Sequence, residues 1–338
     1  MAAPVGYIGH GLVFTYPIRG MSFNVKAHQQ IFNGDPASNE PDQPIYHVGP
    51  IEVEGDVAWP VVSGDPVNYA IIKRAITRIS SGGIGTGKTL EPGDIECWFP
   101  PGRDNNPPAY TRIAKGCIIN RLSYKGTAGE RVEGSINVIG MKLNEEGADS
   151  APVPFDMGRV LTWNDVRINA SLSDTGKTAV FAGCVVKEFN YEITNNVTRA
   201  NTYGWPESML GTDYAATALI LGRRQVSGSL TFLGSASTQE TAKKNMVTET
   251  SKDELMISFG SVQAKFHRVM YELQQIDLTS GVIYGRTSFT AHGGGPGEPS
   301  IEFTMDTPSD PPAPGSQTPN EDQWNKDMKA LGSDMANR

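Results

Sequence analysis

GCIINRLSY, residues 116–124, is followed by VEGSINVIG at 132–140, and the pair returns as GCVVKEFNY at 183–191 with VSGSLTFLG at 226–234. In each copy β-branched and aromatic residues alternate with polar ones, the period of a strand that buries one face. Each copy, 116–140 and 183–234, therefore reads as two long strands adjacent in a sheet. Two copies are too few for a solenoid or propeller, which needs at least about three at a fixed period. The symmetry is one between strand pairs, and strands dominate the chain.

The copies differ in what joins their strands. KGTAGER, residues 125–131, is hairpin-sized, with Gly126 and Gly129 available for positive φ. The second copy instead inserts a long segment from Asn196 to Arg224. Long connections in compact domains usually carry function or contacts. Tyr203, Trp205, Met209 and Leu210 give this one apolar side chains that a solvated loop would not want, so it reads as a partner surface.

Upstream, IYHVGPIEVEGDVAWPVV (45–62) alternates as an antiparallel strand, with Ile51, Val53 and Val57 on one face. The period then changes. In DPVNYAIIKRAITRI (65–79) the residues Tyr69, Ile72, Ala75, Ile76 and Ile79 fall at helical spacing, Asp65 can cap and Pro66 suits the first turn. One amphipathic helix is expected there. It leads into Gly82-x-x-x-x-Gly87-Lys88-Thr89, a literal match to the phosphate-cradling P-loop pattern. A P-loop needs a strand before its glycines and a helix after them, whose positive end holds the phosphate. Here a helix precedes and Pro92, Gly93, Pro100 and Pro101 follow, so a loop is expected and a nucleotide is not. A nucleotide hydrolase would bind ATP or GTP and lose it on Lys88→Ala.

The 338 residues include 37 glycines and 23 prolines, a turn-rich composition that suits many short strands. No apolar run approaches the roughly 20 residues of a membrane span, and the opening residues lack the basic start of a secretory signal, so no membrane insertion is expected. The formal charge of −8 argues against a groove that grips nucleic acid; it suits a surface that DNA passes without sticking, and equally an ordinary soluble protein. Cys97, Cys117 and Cys184 are an odd set with no C-x-x-C spacing, which reads as reduced, buried thiols. His10, His28, His47, His267 and His292 are scattered without metal spacing, and no G-x-S-x-G elbow is present. Glu52 and Glu54 read as ordinary strand acids, and Arg223 and Arg224 as solvated or ion-paired surface. The expectation is of no catalytic residue, no cofactor and no metal.

Polar 238–254 is expected to hold a short helix, strands follow to about Asp306, and TPSDPPAPGSQTP is a Pro-rich tether. The chain thus divides into 1–306 and an extension, 307–338. Within the extension Thr318 and Glu321 form a capping-box pattern, and Trp324, Met328 and Leu331 share one face of a short helix that is not stable without docking.

GCIINRLSYKGTAGERVEGSINVIGMKL, VPFDMGRVLTWNDVRINA, GCVVKEFNYEITNNVTRAN and GRRQVSGSLTFLG together resemble the tail tube proteins of long-tailed bacteriophages, across roughly residues 40–305. The resemblance implies a mainly β fold of two packed antiparallel sheets, sandwich or barrel-like, with one flanking α-helix. It implies hexameric rings that stack around a tape measure protein, meet tail-end proteins, and form the conduit for DNA ejection in a virion assembled in the bacterial cytoplasm. No catalytic residue is implied. Candidate assembly contacts are Lys125, Glu130 and Arg131, then Tyr203, Trp205, Arg223 and Arg224, then Trp324, Met328 and Leu331. The other class of reading is a β-sandwich adhesion module of a phage baseplate or fibre, which would stay monomeric or trimeric.

Overall fold

The computed structural model describes residues 8–34, 45–64, 66–80, 83–84, 89–99, 109–147, 158–171, 185–200, 218–234, 254–279, 282–293 and 299–305. The first strands are β1 (Ile8–Val13), β2 (Tyr16–Gly34) and β3 (Ile45–Pro60), followed by helix α1 (Pro66–Ile76). Three short strands, β4 (Arg78–Ser80), β5 (Gly83–Ile84) and β6 (Thr89–Leu90), make a small sheet of their own. Then come β7 (Gly93–Phe99), β8 (Tyr110–Thr127), β9 (Glu133–Gly140), β10 (Lys142–Gly147) and, after a 3-10 turn at Trp163–Asp165, β11 (Val166–Ser171). The remainder is β12 (Val185–Thr194), β13 (Val197–Ala200), β14 (Ala218–Leu221), β15 (Gln225–Gly234), β16 (Glu254–Phe259), β17 (Val262–Phe266), β18 (Val269–Thr279), β19 (Val282–Ala291) and β20 (Ile301–Met305).

These strands form two packed antiparallel sheets with one flanking helix. The larger runs β18-β19-β15-β12-β8-β7-β1-β2-β3-β9, and the smaller runs β11-β16-β17-β20. Because β9 also pairs with β8, the six strands β8-β7-β1-β2-β3-β9 close into a barrel, while β12, β15, β19 and β18 continue outward as an open sheet. β8 can belong to both because it changes neighbours midway. Residues 110–117 lie between β7 and β10; residues 118–127 lie between β9 and β12. The exchange occurs at Gly116, whose φ of +62° suits glycine and whose N–H donates to the Asp94 carboxylate at 2.9 Å.

The two strand pairs of the repeat meet at the centre of this sheet. β8 pairs with β12 so that Tyr124 lies opposite Tyr191. On their far sides Tyr124 is opposite Gly134 and Tyr191 is opposite Gly228, the glycines of VEGS and VSGS. Both tyrosines are fully buried, with ring centroids 5.7 Å apart. Each glycine makes room for a neighbouring ring: a Cβ at Gly134 would meet Trp59 at 2.7 Å, and one at Gly228 would meet Phe289 at 2.4 Å. The smaller sheet supplies the opposing layer, with Phe259 5.0 Å from Tyr124 and Phe266 5.1 Å from Tyr191. Alternate residues of β16 and β17 are buried, as one-sided packing requires.

Helix α1 lies against β8 and β2. Its buried residues are Val67, Asn68, Ala70, Ile71, Ile72 and Ala75. This corrects the expected face. Tyr69 is only half-buried, and Ile79 lies beyond the helix in β4, because the chain leaves the helix at Ile76, where side chains from elsewhere take the last carbonyls. Asn68, buried among them, accepts hydrogen bonds from Trp59 Nε1 at 3.1 Å and from the Tyr124 hydroxyl at 3.4 Å. Asp65, expected as the cap, lies outside the described residues.

The P-loop look-alike is flanked by strands. This corrects the expected direct join of helix and glycines: β4 stands between them, because Ile79 and Arg78 pair with β5 and β6, and Thr89 begins the strand β6. Gly82, Gly87 and Lys88 lie outside the described residues. Gly126 also differs from expectation. Gly129 takes the hairpin's positive φ of +88°, whereas Gly126 stays in β8 and makes room for the Phe189 ring, 2.6 Å from where its Cβ would stand. Cys97 and Cys117 are buried, which pushes both thiols up to about 12 and keeps them protonated. Cys184 and the segment 238–253 lie outside the described residues.

The two central tyrosines differ in one respect that stability measurements resolve. The Tyr191 hydroxyl is buried with no hydrogen-bond partner among the described residues. Tyr191→Phe therefore removes an uncompensated polar group, and urea titration of the free subunit is expected to show unchanged stability or a gain of about 1 kcal/mol. Tyr124→Phe deprives Asn68 of a donor and is expected to cost about 1 kcal/mol. Gly228→Ala forces a methyl against Phe289 and the Asn190 carbonyl and is expected to cost about 1–3 kcal/mol, read from the same titration.

Candidate assembly surfaces

The long insert of the second copy leaves the sheet as an arm, β13 paired with β14; residues 201–217, between these strands in sequence, lie outside the described residues. Its root is built by the polar residues at either end of the insert. Asn195 is fully buried: its Nδ2 donates to the carbonyls of Ala75 and Ile119, both at 3.0 Å, and its Oδ1 accepts from Arg224 Nε at 3.1 Å. Arg224 also donates to the Ile76 carbonyl at 2.7 Å, so one guanidinium joins the end of α1 to the arm. Asn196 turns the chain with φ +50°, a conformation that asparagine tolerates. Its Nδ2 donates to the Arg223 carbonyl at 2.7 Å, and its carbonyl accepts from Gly222 N–H at 3.0 Å. Arg224 was expected at a solvated or ion-paired surface; the structure places it half-buried against the helix end, hydrogen-bonded to carbonyls and Asn195, while Arg223 is exposed.

Beyond the root the arm lies on an apolar pad separate from the main core. Val197, with Leu219 and Leu221, packs on Leu90, Ile118 and Ile139. Arg199 lies on the same side of β13. Its guanidinium donates to the Val53 carbonyl at 2.7 Å and lies 3.4 Å from Glu52 and 3.6 Å from Glu54. The two glutamates, ordinary strand acids by sequence, are therefore ion-paired.

The β8–β9 hairpin presents Lys125, Glu130 and Arg131, all exposed. Lys125 and Arg131 converge on Glu133, at 2.8 and 3.0 Å, and hydrogen bonds from them hold its carboxyl below the usual range despite partial burial. The backbone is tied on both sides: Ala128 N–H donates to the Lys187 carbonyl, and Trp163 N–H to that of Glu130. Both cationic side chains are thus oriented by Glu133 at the end of a rigid turn.

Two further surfaces were not legible as such in the sequence. The first is a two-stranded ribbon, His28–Gly34 with Ile45–Glu52, that runs on after β9 leaves β3 at Val53, for roughly 20 Å at about 3.3 Å per residue. The second is the outward face of the large sheet. One row across it reads Ser22, Ala58, Ser135, Ser123, Glu192, Ser227, Thr290 and Met270. The next row reads Pro60, Glu133, Lys125, Asn190, Ser229, Ser288 and Glu272. None of these residues is buried, and the cations Lys125 and Arg121 are matched to Glu133 and Asp56. Sequence reasoning recognised the strands but not which polar residues line up, because cross-strand register is not written in any one segment.

Of the expected contact residues, Lys125, Glu130 and Arg131 share one hairpin, and Arg223 and Arg224 stand at the arm's root. Tyr203, Trp205, Met209 and Leu210, like Trp324, Met328 and Leu331, lie outside the described residues. No curated protein matches the chain. The phage tail tube protein family matches residues 47–306, which takes in the repeat, the arm, the smaller sheet and the larger sheet apart from β1 and β2. By that match the chain belongs to the phage tail tube proteins, structural components of the virion tail.

Proposed function

We propose that this chain is the repeating subunit of a tail tube: copies close into rings, six to a ring as the family resemblance implies, the rings stack around a tape measure protein and engage tail-end proteins, and DNA leaves through the channel. Assembly in the bacterial cytoplasm agrees with thiols that stay reduced.

The observation that carries this reading is the outward face of the large sheet. One row of small, mostly polar side chains crosses eight strands, roughly 34 Å at about 4.8 Å per strand. A conduit wall needs this chemistry. DNA binds proteins chiefly through unmatched Lys and Arg on its phosphates, so rows made mostly of hydroxyls and carboxylates, with Lys125 and the neighbouring Arg121 already paired to carboxylates, offer the strand little to hold. We assign this face to the channel. The hairpin Lys125–Arg131, the arm and the terminal segment around Trp324 are then the candidates for contacts between copies.

Negative-stain electron microscopy of the purified protein is expected to show rings or tubes; discrete monomers or trimers would instead favour an adhesion module. The channel assignment has its own check. Biotin attached at Ser227→Cys, in a Cys184→Ser background, is expected to bind streptavidin in the free subunit and to be shielded in tubes. Streptavidin decorating the length of the tubes would place that face outside. Truncation from Pro308 onward is expected to reduce tube length or stability; normal tubes would remove the terminal segment from the contacts.

A further inference from the structure

Val197, Arg199, Leu219 and Leu221 share the inward side of the arm, and Arg199 is the charged member of the set. Adhesion does not explain it. The apolar pad beneath Val197, Leu219 and Leu221 would be extended by a leucine at 199, and burying a guanidinium costs desolvation that ion pairing only offsets. Its side chain is 12% exposed, and it reaches one carbonyl and two carboxylates on consecutive residues, Glu52, Val53 and Glu54. Those residues occupy a particular place: Val53 is where β9 stops pairing with β3, and beyond it β2 and β3 pair only with each other among the described residues.

The two kinds of contact do different things. Apolar burial holds the arm down but is non-directional, so it tolerates sliding. A planar guanidinium shared between a carbonyl and flanking carboxylates has a defined position and orientation. The clamp formed by Asn195, Asn196 and Arg224 fixes only the arm's root. We propose that Arg199 is a positioning residue: it registers the arm against the root of the β2–β3 ribbon, so that the two elements meet a second copy of the chain as one rigid unit. This rests on the reading that the chain polymerises.

The test separates position from stability. Arg199→Met keeps the apolar stem, and the free subunit is expected to melt close to wild type. Tube growth, followed by light scattering and microscopy, is expected to slow by at least about tenfold, the effect of about 1.4 kcal/mol on an assembly step. Glu52→Gln with Glu54→Gln removes the same pairing without touching the arm and is expected to slow growth likewise; Arg199→Lys is expected to restore part of it. Pulsed EPR between spin labels at Ile220→Cys and Lys26→Cys, in the Cys184→Ser background, supplies the readout of position: one narrow distance distribution with Arg199, a broadened one with Arg199→Met. Wild-type growth by Arg199→Met, or an unbroadened distribution, overturns the proposal. A wild-type chain that forms no tubes at all counts instead against the polymerisation reading.

Discussion

Tyr124 stands opposite Tyr191 where β8 meets β12, and the rest of the architecture depends on that register. A slip of one residue would turn one strand over relative to the other, so that with Tyr124 and Leu122 kept in the core Tyr191 and Phe189 would face the polar side and Glu192 would face inward. The pairing is specified from both sides. Phe259 and Phe266 of the smaller sheet receive the rings, and Gly134 and Gly228 leave the space that Trp59 and Phe289 occupy. Two copies of one strand pair thereby become four adjacent strands related by an approximate twofold.

From that centre the two halves diverge. On the β9 side the sheet curls through β3, β2, β1 and β7 back to β8 and closes, which removes its own edges. On the β12 side it stays open and ends at β18, which among the described residues pairs on one side only. Closed barrels resist edge-to-edge association and open edges invite it, so one subunit combines a self-sufficient half with a half able to accept a neighbour. The ribbon leaves from the closed half, and the arm, which joins β12 to β15 of the open half, lies back across that closed half, where Arg199 meets the root of the ribbon.

Much of the fold was legible because its signals are local. Alternation of buried residues marked β8, β9, β12 and β15, and helical spacing marked α1, whereas the upstream flank of Gly82–Thr89 read as helix where the strand β4 stands before the glycines. The errors were those of partners distant in sequence. Ile79 was placed on the helix because nothing near it reveals that Asn195 and Arg224, more than a hundred residues on, take the last carbonyls. Glu52 and Glu54 passed as ordinary acids because their partner is Arg199. Gly126 was taken for a turn glycine because the Phe189 ring that needs its space belongs to the other copy of the repeat.

By itself, then, the sequence determined the strand content, the paired repeat and the single helix, since each rests on periodicity or composition within a few tens of residues, and the family likeness, which rests on a succession of short segments across roughly residues 40–305. Only the tertiary structure decided that the larger sheet closes into a barrel, that Ser22 through Thr290 form one polar row, and that Arg199 spans the roots of the arm and the ribbon. Those depend on register and on contacts between segments far apart in the chain. Such contacts are selected by the free energy of the whole packed assembly, and no stretch of sequence carries it alone.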